Sequence, residues 1–184
     1  MNVKKINAVL ALLTLAALIG HAGTMGVSLW TGWYDYALCK ALARGTVTLM
    51  TAHALLSIAV FFFCHDGAQT QYGGANRGTI IQRGSAIALL VLIHIHTRAY
   101  AHMATGVPLS VGQTVFFSAA ELLYFAAIWS HVAVSVSRAA VTLGIARSAR
   151  AVGRIDRAAW VVCGISMLLL SGGMLAFFWG GAIG

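Results

Sequence analysis

QRGSAIALLVLIHIHTRAYAH, Gln82 to His102, sets three histidines in or beside an apolar run long enough to be one helix. An imidazole inside a membrane span is costly and implies a partner. The reading of the chain turns on whether other helices supply the opposite groups.

Composition narrows the class. The chain has 184 residues, 60% hydrophobic and 9% charged, with one proline. A soluble domain carries about 25% charged residues, so the expectation is an all-α integral membrane protein. A spanning helix takes roughly 20 apolar residues. Hydropathy places five, at about 6–30, 36–64, 79–103, 113–137 and 158–181, leaving a single transmembrane domain over 1–184. MNVKK, an apolar run and His21-Ala22-Gly23 have the outline of a secretory signal. The run continues through Trp30, and a retained helix is expected.

Basic residues collect in loops that stay cytoplasmic. Nine of them (Lys4, Lys5, Arg77, Arg83, Arg138, Arg147, Arg150, Arg154, Arg157) fall on one side, and Lys40, Arg44 and Arg98 on the other. This places the N-terminus in the cytoplasm and the C-terminus outside. The net charge of +8 is then mostly topogenic, with no basic face interleaved with aromatics as a nucleic-acid module requires. Cys39, Cys64 and Cys163 form no Cys-x-x-Cys pair and read as buried structural thiols. Trp30, Trp33, Tyr34 and Tyr36 form an aromatic belt at the outer interface.

The second helix begins near Tyr36, because YDYALCKALARG is rich in helix formers, and this puts Lys40 and Arg44 on one face of its outer turn. They either snorkel into the headgroups or neutralise anionic groups of a bound cofactor. His53 lies deeper, whereas His65, beside Asp66, and His102 read as solvated. The loop 66–78, DGAQTQYGGANRG, is a connector or a docking surface. In the third helix His94 and His96 lie two residues apart, about 200° around, so only one faces a given ligand. The fourth carries Glu121, either hydrated near the outer interface or functional in proton transfer or quinone binding, and then His131. The fifth has no ionisable residue, and Ser171-Gly172-Gly173 and Gly180-Gly181 suggest close packing.

Depth sorts the histidines. At about 1.5 Å per residue, His21 and His96 stand about 24 and 20 Å from the cytoplasmic anchors Lys5 and Arg83, although depth alone does not choose between His94 and His96. His131 is about 10 Å from Arg138, and His53 about 17 Å from the inner helix end. One outer and one inner pair result, each joining helices that run in the same direction. A bundle of the first four helices holding two stacked, bis-histidine haems b would use this pattern. With no Cys-x-x-Cys-His motif, such haems carry no thioether link.

The chain also resembles the five-helix dihaem cytochrome b subunit, type B, of succinate dehydrogenases and fumarate reductases. The likeness runs over nearly the whole chain and is carried by AHALLSIAVFF around His53, by Gln82-Arg83 ahead of His96, and by the run from His131 through AAVTLGIARS. The resemblance implies His21 with His96 as ligands of an outer haem iron and His53 with His131 of an inner one. It further implies electron relay between menaquinone or a related quinone and an iron–sulfur subunit, with a flavoprotein (FAD) beyond it on the cytoplasmic side. The expected setting is the bacterial inner membrane, with a dimer of the heterotrimer as one assembly. Candidates for haem propionate contacts are Lys40, Arg44, Arg83 and Arg138; candidates at the quinone are Asp35, Lys40, Arg44 and Glu121. The inner basic loops, Arg77 and Arg147 to Arg157, are either docking groups for the iron–sulfur partner or topogenic charge. At Trp129, two residues before His131, some fumarate-reducing members carry a glutamate, so their proton route is not implied here. Two rival classes are the cytochrome b of a hydrogenase or formate dehydrogenase, and a haemless scaffold or transporter. The run after His131 argues against the first, and the lack of inverted repeats and broken helices against a transporter.

Overall fold

The computed structural model describes residues 2–63, 73–103 and 107–180. The expectations for Cys64, His65, Asp66 and Tyr72 lie outside the described residues. Five helices follow one another: α1 (Val3–Thr31), α2 (Tyr36–Phe63), α3 (Gly73–Met103), α4 (Val111–Thr142) and α5 (Ala149–Gly180). All five are long and apolar enough to cross a membrane. Large apolar side chains such as Leu55, Phe62, Ile80, Ile87, Val111 and Leu168 face outward, as in a multi-pass membrane protein.

Local chemistry sets the helix ends. Asn2 Oδ1 accepts from the Lys4 N–H at 3.0 Å to open α1. Gly32, at φ 71°, closes it in the left-handed conformation that glycine adopts without a Cβ penalty. Asp35 Oδ1 accepts from the Leu38 N–H at 2.9 Å and starts α2 at Tyr36, as the helix formers there lead one to expect. Ser110 and Gln113 form a reciprocal capping box at the start of α4.

Three boundaries differ from the hydropathy reading. Helix α3 begins at Gly73, so the second half of the expected loop 66–78 is helical. Helix α4 runs on to Thr142. Helix α5 begins at Ala149, so Arg150, Arg154 and Arg157 ride on a helix rather than in a loop. At the start of α5 hydropathy falls where charges appear, but helix propensity does not, because Arg and Ala are good helix formers and no proline intervenes. Ser148 caps this extension, its Oγ accepting from the Ala151 N–H at 3.2 Å.

Helix α4 is central, packing along α3 and α5, while α1 packs along α2 and touches α4 and α5. Tyr124, Phe125, Ile128, Trp129 and Ala133 of α4 form the middle of the buried cluster, with Leu18, Leu89, Cys163 and Met174 around them. Cys39 and Cys163 are buried free thiols. Close packing of α1 on α5 depends on the Ser171-Gly172-Gly173 turn. Trp30 Nε1 donates to the Leu169 carbonyl at 3.0 Å, and a Cβ on Gly173 would stand 2.9 Å from that Nε1. Among the described residues, α1 and α3 make no close backbone approach, nor do α2 and α4. Space for side-chain chemistry therefore lies between these two pairs.

Candidate functional site

His21 of α1 and His96 of α3 line one small cavity, largely apolar, with Leu18, Tyr100, Tyr124 and Trp129 among its walls. His94, two residues before His96, is exposed. The 200° separation that left the two open is thus divided between the cavity and the outer surface. The cavity holds about 60 Å³ in this packing, room for a few waters. Two polar atoms on its lining residues, His21 Nδ1 and Trp129 Nε1, are buried without a hydrogen-bond partner among the described residues.

Glu121 is 0% exposed, which excludes the hydrated position at the interface. Its Oε2 accepts from His96 Nδ1 at 2.8 Å. The His96 ring stacks on Tyr124, with centroids 4.6 Å apart and planes inclined by 24°, and Tyr100 lies against it at 5.0 Å. Helix α3 presents the histidine, and α4, packed along its length, presents both Glu121 and Tyr124. A depth argument reaches this pairing too: Glu121 stands seventeen residues before Arg138 on α4, at the level of the outer histidines.

The inner histidines are held in a similar way. His53 Nδ1 donates to Asn7 Oδ1 at 3.0 Å, and Asn7 Nδ2 donates to Ser57 Oγ at 3.1 Å, tying α2 to α1. His131 Nδ1 donates to the Gln82 carbonyl at 3.1 Å, with Ser85 Oγ at 3.2 Å. Carbonyl and carboxylate oxygens only accept, so in His53, His96 and His131 the proton sits on Nδ1 and the lone pair on Nε2. His21 is the exception, with no acceptor at Nδ1 among the described residues. Asn7 is missed by a search for ionisable residues; its only trace in the sequence is a polar side chain within the apolar first helix.

The basic candidates sit differently. Arg138 donates to Gln82 Oε1 and to Thr79 Oγ1, and Gln82 Nε2 donates to Ser135 Oγ at 3.0 Å. Gly78 gives the guanidinium its room, since a Cβ there would lie 2.8 Å from Nη2. Arg83 lies over the Phe61 ring at 4.7 Å. Among the described residues no carboxylate pairs with Arg138, leaving a half-buried positive charge beside the inner histidines. Lys40, exposed, donates to the Tyr36 hydroxyl at 2.7 Å and lies over its ring. Arg44 is exposed, and Asp35 serves as the α2 cap. No hydrogen bond or ion pair among the described residues joins these three to Glu121.

The donor set is chemically specific. No cluster of three or more His, Cys, Asp or Glu occurs among the described residues, so a metal ion held by side chains alone lacks its usual ligands. What the described residues do bring together is two imidazoles from different helices, His21 and His96, at one largely apolar cavity. Comparison with protein-family models, with curated proteins and with solved structures finds no match.

Proposed function

We propose that the chain is a dihaem cytochrome b membrane anchor of the succinate:quinone or quinol:fumarate oxidoreductase type. The observation that carries this reading is that His21 of α1 and His96 of α3 line one cavity, and that His53 of α2, His96 and His131 of α4 each commit Nδ1 to an acceptor. Ligating histidines are oriented by such contacts, which leave Nε2 for the metal. His21 and His96 would hold the outer haem iron, and His53 and His131 the inner. Each pair belongs to two helices that do not pack directly on each other, where a macrocycle has to enter. A haem b with imidazole on both faces supplies one-electron transfer rather than oxygen binding.

The chain's own residues do the rest. Glu121, Asn7 and the Gln82 carbonyl orient the rings. Arg138, without a carboxylate partner among the described residues, is suited to an anionic group at the inner level, and Arg83 of α3 stands at the same end of the bundle. Asp35, Lys40 and Arg44 lie at the other end of the bundle, where a quinone headgroup meets the aromatic belt. The distribution of basic residues favours a bacterial inner membrane with the N-terminus in the cytoplasm. Arg77, Arg150, Arg154 and Arg157 then face an iron–sulfur subunit, and dicarboxylate chemistry belongs to a flavoprotein beyond it. The test is isolation from native membranes under mild detergent. A flavoprotein and an iron–sulfur protein should copurify, and the assembly should exchange electrons between menaquinol and fumarate or between succinate and quinone. Copurification of a hydrogenase or formate dehydrogenase catalytic subunit instead would contradict the assignment.

A further inference from the structure

We propose that Glu121 is a positioning residue that acts through His96 to lower the reduction potential of the haem held by His21 and His96. This inference rests on the dihaem reading and deepens it. A carboxylate with 0% exposure is expensive, and in a buried setting it stays ionised only beside compensating positive charge. Among the described residues no lysine or arginine supplies that charge, and the single partner of Oε2 is His96 Nδ1 at 2.8 Å. The other oxygen, Oε1, has no partner among the described residues. An imidazole whose Nε2 is bound to iron is polarised towards Nδ1–H, which makes it the compensating group. The carboxylate in turn strengthens the histidine as a donor and favours the oxidised metal. Tyr124, stacked on the ring at 4.6 Å, and Tyr100, tilted against it at 5.0 Å, hold the His96 ring towards Glu121. His53 and His131 donate to neutral oxygens only, so the effect belongs to one haem.

The experiment is a potentiometric titration of the intact complex, followed at the haem absorption bands, for wild type, Glu121→Gln and Glu121→Asp. Gln keeps the shape and the acceptor oxygen while removing the charge. One haem component should rise in potential so that its oxidised-to-reduced ratio at fixed ambient potential falls about tenfold, which is 59 mV for one electron, and the other should stay. Asp keeps the charge but withdraws it by one methylene, so its shift should fall between wild type and Gln. If Gln prevents assembly, the Asp variant decides alone. Two haems with unmoved potentials in whichever variant assembles, or both components moving equally, would overturn the role of Glu121 while leaving the dihaem reading intact. A wild-type complex without haem b would overturn both.

Discussion

Replacing Asn7 with Ala removes the acceptor of His53 Nδ1 and the contact to Ser57 in one step. Both bonds run between α1 and α2. Interhelical hydrogen bonds in membranes are worth about 0.6 kcal/mol each on average, so the two give about 1.2 kcal/mol. The Nδ1–H of His53 is half-buried and partly hydrated, so its unpartnered donor adds at most about 2 kcal/mol, for a total of about 1–3 kcal/mol. At about 1.4 kcal/mol per decade this is roughly a 5- to 100-fold change in the unfolding equilibrium. Unfolding by SDS titration from mild micelles, read by fluorescence of the five tryptophans, measures it. Ser57→Ala removes one of the two contacts and should cost about half as much as the pair. The double variant should lose less than the sum, because both substitutions delete the same bond. An Asn7→Ala curve that overlays wild type within about 0.3 kcal/mol, or strict additivity of the two changes, would refute this account of the inner site.

The α1–α5 contact gives a second, independent test. Gly173→Ala puts a Cβ 2.9 Å from Trp30 Nε1 and 3.1 Å from Leu29 Cβ, so overpacking of about 1–3 kcal/mol should outweigh the helix-propensity gain of about 1 kcal/mol. Gly164→Ala, on the same helix with nothing within 4 Å of the new Cβ, should be neutral to slightly stabilising in the same SDS titration. His94→Ala, at an exposed position, should leave the haem content and both potentials at their wild-type values when measured by difference spectroscopy.

Hydropathy makes the five helices legible because each carries a long apolar run, and the Ser171-Gly172-Gly173 turn marks the place where Trp30 packs. Helix ends were less legible. The polar residues that open α3 and the arginines that open α5 leave the apolar signal but remain within helices, and the sequence cue to the start of α5 is Ser148, its cap. Depth along the helices foreshadows the meeting of His21 and His96 at one cavity, because rise per residue is constant. It could not tell His94 from His96, which needs the rotation of α3 against α4. The roles of Glu121 and Asn7 depend on contacts between helices 25 and 46 residues apart in sequence, which no periodicity within one helix encodes. Glu121 had two readings, hydrated or functional; its burial against His96 follows from α4 lying at the centre of the bundle.

The central claim is that four histidines on four helices hold two haems. Pyridine haemochrome analysis of the purified chain, normalised to protein, tests it most directly. Wild type should contain two haems b per chain, and His96→Ala should contain one. A value near zero in folded wild-type protein, or an undiminished two in His96→Ala, would contradict it.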